Sequence, residues 1–264
     1  MSRQAKLLQL LNEEIVACRK CPRLVEYRER VALEKRLAYR DWTYWGKPVP
    51  GFGDPQAQLL IVGLAPGAHG SNRTGRMFTG DRSGVFLYQA LYDAGFANQP
   101  TAVSCDDGLR LRNAYIAAAA RCAPPDNKPL PSEILNCRGY LEREIDILRP
   151  TAVLALGKIG WDVFLGILKH RGAIPARVGY RFARFPERGR LSSLPLISSP
   201  STSSARPLAA TLALAISSTP RSACVTAVPS PFLSTRISSV RKNFIAIASA
   251  SFAMSSSSDP YSAR

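Results

Sequence analysis

The stretch QLLIVGL at residues 58–64 is a short, continuous apolar run, and the turn Ala65-Pro66-Gly67 follows it directly. A run of this length that ends in turn residues is typical of a strand buried on both faces of a parallel sheet. The loop at the carboxyl end of such a strand is also where α/β proteins bind their ligands. These residues therefore predict both a central strand and the position of a binding site.

The rest of the chain alternates between helical and strand patterns. Apolar residues at helical spacing predict helices at 84–94, 132–148 and 158–168. Short apolar runs predict further strands at 115–120 and 151–156. This order predicts an α/β fold, a three-layer α/β/α sandwich with a mainly parallel central sheet. At least one more strand is expected after residue 180.

Composition limits the possible classes of protein. The chain has 264 residues, and its 35 basic against 19 acidic residues give a formal net charge of +16. This excess favours a polyanionic partner such as nucleic acid, although solubility alone explains it equally well. No stretch approaches about 18 uninterrupted apolar residues, and the chain begins with charged residues, which argues against a membrane span and a signal peptide. We therefore expect a cytoplasmic protein that acts as a monomer and has no membrane partner.

The composition changes sharply near residue 188. Residues 188–264 contain 21 serines and eight basic residues, but a single acidic residue, Asp259, and no Glu, Gln, His or Trp. Such a segment matches neither a patterned core nor a typical charged tail. We interpret residues 1–187 as the folded domain and residues 188–264 as a low-complexity tail that arises from out-of-frame translation. A genuine, disordered Ser-rich extension is the alternative, and either interpretation implies that the last core strand is lost or altered.

The loop after the first strand combines several features of a binding site. Four glycines between residues 63 and 75 let the backbone approach a ligand closely, and Arg73 and Arg76 are candidates for phosphate contacts. The lack of a GKS or GKT sequence argues against a nucleotide-binding P-loop. Phe78 is suited to stack on a base, and Asp81 to act on a water. A plain connecting loop, with Phe78 in the core and Asp81 as a helix cap, is the alternative.

Cysteine spacing supplies a second candidate site. Cys18 and Cys21 form a C-x2-C pair, and Cys122 and Cys137 form a C-x14-C pair. Four thiolates from two distant segments suit either tetrahedral zinc or a 4Fe-4S cluster. Zinc sites more often use two C-x2-C pairs, so the extended second pair favours the cluster without deciding between them. Four unrelated buried cysteines are the remaining alternative.

Three stretches of sequence and the four cysteines carry a resemblance to a known family. The stretches are YWGKPVPGFGDP at 44–55, GLAPGAHGSNRTGRMFTGDRSG at 63–84 and RCAPPDNKP at 121–129. Together with the cysteines, they resemble the type 5 uracil-DNA glycosylases, the UDGb branch of that superfamily. The resemblance covers roughly residues 10–175, and motifs of this length are highly specific.

The resemblance implies an enzyme that excises uracil, and some related deaminated bases, from DNA by hydrolysing the N-glycosidic bond. The target base would be flipped out of the duplex and stacked on Phe78, beside the backbone of Leu64, Ala65 and Pro66. Type 4 relatives have an acidic residue in the position of Leu64, so the resemblance assigns the water-activating role to Asp81. It also implies a structural 4Fe-4S cluster on the four cysteines.

The sequence departs from the family pattern at two places. Ala118 stands where relatives carry an Asn that bonds the base edge, which implies weaker edge reading and a broader range of deaminated bases. A His-Pro-Ser loop after the last core strand is missing, and the nearest stretch is Ser199-Pro200-Ser201. Loss of one donor that stabilises the leaving base costs about 2.7 to 4 kcal/mol, so the chain is expected to be an impaired enzyme. A DNA-binding iron–sulfur protein without turnover is the alternative, and a zinc-stabilised binding module is a third possibility.

The aromatic residues between the second cysteine and the first strand have two interpretations. They could stack on single-stranded or flipped bases, or they could pack as a lid over a small core, which we favour. These residues are Trp42, Tyr44, Trp45 and Phe52.

Overall fold

The structure is a computed structural model, and it describes residues 1–175 together with the backbone of residues 197–198 and 244–245. The predicted domain boundary at residue 187, most of the segment after residue 180 in which a further core strand is expected, and the stretch Ser199-Pro200-Ser201 lie outside the described residues. Within the described part of the chain, no helix combines the length and the apolar character needed to cross a bilayer.

Four strands form the central sheet. They are β1 (Phe52–Gly53), β2 (Leu59–Gly63), β3 (Ala114–Ala118) and β4 (Ala152–Ala155), in the spatial order β1-β3-β2-β4. The central strand β2 pairs in parallel with β3 on one side and with β4 on the other, whereas β1 pairs antiparallel with β3. Two further strands, β5 (Ile197–Ser198) and β6 (Phe244–Ile245), pair with each other.

Helices surround the sheet. They are α1 (Arg3–Val16), α2 (Pro22–Glu34), α3 (Ser71–Thr74), α4 (Arg82–Asp93), α5 (Pro131–Leu148) and α6 (Lys158–His170), with short 3-10 turns at Leu37–Tyr39 and Pro125–Asn127. Helices α2 and α5 both begin with proline. Proline lacks an N–H, but an N–H at the first position of a helix would have no partner in the helix, and the fixed φ of proline suits this position.

The two faces of β2 bury different side chains, which creates the layers. Leu60 and Val62 pack with α1, α5 and α6, whereas Leu59 and Ile61 pack with α4 and the segments beside it. Successive side chains of a strand point to opposite faces, so a continuous apolar run implies that both faces are covered. The predicted three-layer α/β fold with a mainly parallel sheet is confirmed.

The elements predicted between residues 58 and 168 all occur, with ends that differ by a few residues. Helix α1 is an addition that the prediction did not include, although Leu8, Leu11 and Ile15 bury one side of it at helical spacing. Strand β1 is only two residues long, and so short a strand has no sequence pattern of its own.

Candidate active site

The loop that follows β2 crosses the carboxyl edge of the sheet. The Gly63 carbonyl accepts the N–H of Ala119 at 2.9 Å, and the Leu64 carbonyl accepts the N–H of Ala120 at 3.0 Å. These bonds extend the pairing of β2 and β3 by one residue beyond the strand ends. The chain then runs through α3 to Asp81, at the start of α4. The loop therefore occupies the edge at which open parallel sheets bind ligands.

The ring of Phe78 lies against the end of β2. A Cβ atom placed on Gly63 would be 2.8 Å from the Cζ atom of Phe78, which is closer than nonbonded carbon atoms approach. Phe78 has a φ of +53°, a backbone conformation that is rare for a large side chain. A Cβ atom on Gly84 would be 1.8 Å from the Phe78 carbonyl oxygen, so this position requires glycine. The half-buried ring packs against the layer that contains α4 and keeps part of its surface exposed.

The two carboxylate oxygens of Asp81 have different surroundings. Oδ1 accepts hydrogen bonds from the N–H of Gly84 at 2.9 Å and from the hydroxyl of Ser83 at 2.6 Å, so Asp81 is the N-cap of α4. Oδ2 faces the preceding turn, because a Cβ atom on Gly70 would be 2.1 Å from it and one on Gly67 would be 3.1 Å from it. The helix-cap interpretation of Asp81 is therefore correct for one oxygen, and the other oxygen faces the glycine-rich turn.

The other residues predicted to contact a base lie at the ends of the two neighbouring strands. Ala118 is the last residue of β3, pairs in register with Gly63 and is 1% exposed. Three more residues directly follow β2, namely Leu64, Ala65 and Pro66. The fold thus brings all four to the same edge of the sheet as the ring of Phe78.

Asn72, which the sequence analysis did not single out, fixes the turn before α3. Its backbone N–H donates to the Gly67 carbonyl at 3.0 Å. Its side-chain amide donates to the carbonyls of Arg28 at 3.2 Å and Ala68 at 3.4 Å. The turn is therefore fixed to α2. Asn side chains often bond to nearby loop backbone, so an Asn among glycines was the signal for such a role.

Arg76 is buried in an ion pair. Its Nη1 and Nη2 atoms donate to the two oxygens of Asp107 at 2.8 and 2.7 Å, and Nε donates to the Thr79 hydroxyl at 2.9 Å. Burial alone would raise the pKa of Asp107, but hydrogen bonds from Arg76 and from the N–H groups of Leu109 and Val103 lower it to about 2. The prediction that Arg76 contacts a DNA phosphate is wrong, because its guanidinium is 4% exposed and already fully engaged.

Arg73 is buried to the same extent, at 4% exposure. Its guanidinium carbon lies 4.0 Å from the ring centre of Tyr39 and 4.1 Å from that of Trp42. The Nε atom donates to the His69 carbonyl at 2.8 Å, and Nη2 donates to the Gly80 carbonyl at 2.9 Å. The predicted phosphate contact of Arg73 is wrong for the same reason, because aromatic rings and backbone carbonyls enclose the cation.

The aromatic residues before β2 make contacts inside the protein. The Tyr44 hydroxyl is 3.1 Å from Nδ1 of His69, and Tyr44 is buried. The indole Nε1 of Trp45 donates to the Pro48 carbonyl at 3.1 Å. The ring centre of Phe52 lies 5.1 Å from the guanidinium carbon of the buried Arg76. These contacts agree with the packing interpretation rather than with stacking on bases.

The four predicted metal-ligating cysteines lie in one region of the fold. Cys21 and Cys122 are buried against the same leucine, and Cys137 is buried on α5. Cys18 packs against the cluster that contains Tyr140, one turn after Cys137. Burial raises the pKa of the Cys122 thiol to about 12, and the other three thiols act in the same direction. All four sulfur atoms are therefore within electrostatic reach of one another.

The cysteine region has the ligand chemistry of a metal group but not a finished metal-binding geometry. Within residues 1–175, no set of three or more His, Cys, Asp or Glu side chains is arranged so that it could hold a metal ion as it stands. A cluster that takes four soft anionic ligands nevertheless suits the chemistry of this region, because four thiols interact electrostatically there and the positive charge of a cluster would offset that of the thiolates. Cys105 is exposed and lies apart from the set.

A cavity of about 860 Å³ lies elsewhere, between α1, α2 and β1. It is lined by Asn12, Arg28, Gly51 and Tyr115, among others, and by none of the residues predicted to contact a base. The candidate active site at the edge of the sheet is therefore separate from this cavity.

A mostly parallel α/β sheet that carries a glycine-rich turn, an aromatic ring and a carboxylate at its carboxyl edge defines an α/β protein with a ligand site at the strand ends. Residues 50–214 match the family model described as the uracil DNA glycosylase superfamily. The chain belongs to this superfamily, and the resemblance described from its motifs is confirmed.

Several curated relatives with about half of their residues identical share one name. The chain is 53% identical over 154 residues to the type-5 uracil-DNA glycosylase of Thermus thermophilus, covering 58% of this chain and 69% of that protein. It is 51% identical over 154 residues to the type-5 uracil-DNA glycosylase of Pyrobaculum aerophilum, covering 58% of this chain and 67% of that protein. The type-5 uracil-DNA glycosylase of Mycobacterium bovis is 51% identical over 172 residues, covering 64% of each chain. The chain therefore spans about two thirds of the length of these relatives.

Proposed function

We propose that this chain is a DNA-repair glycosylase that hydrolyses the bond between uracil and deoxyribose in DNA. The observation that carries the proposal is that one loop at the carboxyl edge of the sheet has the ring of Phe78 against Gly63 and the carboxylate of Asp81 against Gly70. It is supported by relatives at 51% and 53% identity that are named type-5 uracil-DNA glycosylases. A net charge of +16 suits a polyanionic substrate.

The target base has to leave the duplex, because the groups that cleave its glycosidic bond cannot reach that bond while the base is stacked. Phe78 supplies an aromatic face for the flipped base, with its ring against Gly63 and its backbone carbonyl against Gly84. The backbone after β2, from Leu64 to Pro66, borders the same space. Ala118 offers no amide to the base edge, so we propose that the site accepts other deaminated bases besides uracil.

Asp81 is the proposed catalytic residue. Cleavage of the bond leaves positive charge on the sugar and negative charge on the departing base, so a carboxylate near the sugar stabilises the reaction. Oδ1 is held by Ser83 and Gly84, which fixes the orientation of the carboxylate. Oδ2 faces the glycine-rich turn, where it is placed to accept a hydrogen bond from an attacking water.

The test is excision of uracil from a duplex, read as strand breaks after alkali treatment of the abasic sites. In Asp81→Asn, the amide keeps the helix cap but loses the charge, so the excision rate should fall by about 10²- to 10⁴-fold. Asp93→Asn is the matched control, because Asp93 is exposed at the other end of α4 and bonds only to Gln89 among the described residues. Full activity of Asp81→Asn would show that the water is activated elsewhere.

The proposed cofactor is a 4Fe-4S cluster with a structural role. The residues that would hold it are Cys18, Cys21, Cys122 and Cys137, which join the segment before α2 to the segment after β3 and to α5. When bound, the cluster supplies four soft cationic sites for the thiolates and takes no part in hydrolysis. Without a cluster, the thiols of Cys21 and Cys122 would be buried among apolar side chains with no ligand to bind.

Anaerobically purified protein should show thiolate-to-iron charge-transfer absorption and contain about four irons per chain. Cys137→Ser should lose iron and lower the thermal midpoint of unfolding. Cys105→Ser is the control, because that cysteine is exposed and outside the set, and it should keep the full iron content. Stoichiometric zinc in place of iron would overturn the assignment of the cofactor.

We propose that residues 188–264 arise from out-of-frame translation and that the family's histidine loop is lost with the native frame. The serine content and the single acidic residue of this segment support the proposal. Sequencing across codon 188 should reveal one inserted or deleted base, and it should extend past codon 214, where the family match ends. A frame-corrected chain that excises uracil faster than this chain would locate the defect in the tail. An intact reading frame would refute the proposal.

A further inference from the structure

The buried cation of Arg73 has no ion-pair partner within the described residues. Two other arginines near the sheet are also less than 5% exposed, and both are paired with a carboxylate. They are Arg76 and Arg121. The guanidinium of Arg73 instead stacks between Tyr39 and Trp42. A buried charge without a counter-ion costs free energy, so its presence beside a candidate active site requires an explanation.

The hydrogen bonds of Arg73 connect the two backbone segments on either side of the Asp81 carboxylate. Nε donates to the carbonyl of His69, in the turn that faces Oδ2 of Asp81. Nη2 donates to the carbonyl of Gly80, the residue that directly precedes Asp81. A Cβ atom on Gly80 would be 2.4 Å from Nη2, so the backbone there approaches the guanidinium closely. The planar guanidinium of Arg73 therefore links the turn that contains His69 to the residue before Asp81, and so fixes the distance between them.

The electrostatic interaction between Arg73 and Asp81 also connects the two residues. Burial lowers the pKa of Arg73, and the negative charge of the nearby Asp81 carboxylate opposes this effect. Three further titratable residues lie in the same part of the chain, namely His69 in the turn and Arg82 and Tyr88 on α4, and Tyr88 interacts electrostatically with Asp81. The unpaired charge of Arg73 thus acts on the proposed catalytic carboxylate.

We propose that Arg73 is a positioning residue for the reaction, one that holds the Gly67–Gly70 turn and the Asp81 carboxylate in a fixed relation. This inference rests on the proposed function and assigns Arg73 a role other than phosphate binding. Lysine cannot take that role, because a single ammonium group neither stacks as a plane between two rings nor donates in two fixed directions.

The first test compares Arg73→Lys with the wild type in single-turnover excision from a uracil duplex. Displacement of the carboxylate by about 1 Å should lower the rate on the order of 10²-fold. Affinity for a duplex with a non-cleavable uracil analogue should change by only about threefold, since Arg73 contacts neither base nor phosphate. Equal losses of rate and affinity, or no loss of rate, would overturn the proposal.

Asp107→Asn is the matched control. It weakens a buried arginine ion pair on the same loop but leaves the contacts of Arg73 intact. It should lower stability while keeping the excision rate within about threefold of the wild type. If it slowed excision as much as Arg73→Lys, general damage to the loop would explain both results, and the positioning role would be refuted.

A second measurement does not depend on activity. Amide hydrogen exchange in Arg73→Lys should be faster in peptides that cover residues 64–84 and unchanged in those that cover β3, because the guanidinium links only the former. Unchanged exchange over residues 64–84 would overturn the proposal even in an inactive chain. If neither the wild type nor the frame-corrected chain excised uracil while the variant exchanged faster, the proposed function would be refuted and the structural role of Arg73 would stand.

Discussion

Individual side chains at the site depend on their surroundings more than on their type. Arg73 and Arg76 are three residues apart in a glycine-rich loop, and their sequence context suggests that both meet phosphates. Both are buried, one between aromatic rings and one in an ion pair. Sequence shows that a charge is present, but only packing shows whether it faces solvent.

His69 gives a prediction at this scale. Burial lowers its pKa, and the positive charges of Arg36 and Arg73 lower it further. A folded-state pKa below the unfolded value of about 6.5 means that the unfolded chain binds the proton first, so stability is lost as the pH falls below that value. The free energy of unfolding should therefore decrease between about pH 7.5 and pH 5.5, and His69→Gln should reduce this decrease.

Urea unfolding at both pH values measures the effect. The chain has two histidines, and the second, His170, is exposed at the end of α6, so His170→Gln is the natural control. His170→Gln should keep the pH dependence of the wild type. If His69→Gln also kept it, the neutral form of His69 would contribute nothing to the stability of the loop.

At the scale of elements, the first turn of α4 and the segment before it hold each other in place. The helix is capped by Asp81, and Gly84 lies against the carbonyl of Phe78. The sequence predicted the helix and its cap from Asp81 and the apolar spacing that follows. It did not show the close approach of Gly84, which depends on the unusual backbone of Phe78.

Gly84→Ala should therefore be destabilising, although alanine usually favours a helix. Its Cβ atom would overlap the Phe78 carbonyl, and overpacking of this kind costs about 1 to 3 kcal/mol. Because the ring of Phe78 would move, affinity for uracil-containing DNA should fall as well. Gly166→Ala in α6 is the control, since no atom lies within 4 Å of its added Cβ and it should gain about 0.5 to 1 kcal/mol. Equal stabilities in urea would disprove the steric argument.

At the scale of the whole molecule, a buried ion pair joins the segment after β3 to α5. Arg121 is 1% exposed and Glu144 is 0% exposed, and the two form a short hydrogen-bonded pair. The Arg121 carbonyl also accepts the N–H of Val49 at 2.7 Å, which adds the segment before β1 to the same contact. The pair thus connects three parts of the chain that are distant in sequence.

Glu144→Ala should lower the free energy of unfolding by about 3 to 5 kcal/mol, because it leaves a buried guanidinium without its counter-ion. Glu142→Ala is the control, because Glu142 lies two residues earlier on the same helix and forms a partly exposed ion pair with Arg138. This variant should lower the free energy of unfolding by at most about 1 kcal/mol. Chemical unfolding of the two variants provides the comparison. Similar losses would mean that the burial of Glu144 has no energetic consequence.

The amino-acid sequence by itself determined the class of fold and the edge of the sheet at which the site lies. A continuous apolar run followed by a glycine-rich turn is compatible with few folds, because both faces of the strand have to be covered and the turn has to follow the carboxyl end of the strand. The sequence also identified Phe78, Asp81 and the four cysteines as a group of candidates, since each residue type suits one step of base binding, hydrolysis or cluster ligation.

Only the tertiary structure decided what surrounds each of those residues. It brought four cysteines from two distant segments into one region, turned Arg73 and Arg76 inward and placed one oxygen of Asp81 toward the turn while the other caps α4. The physical reason is that burial and hydrogen bonding depend on contacts between residues far apart in the chain, and no local pattern records those contacts.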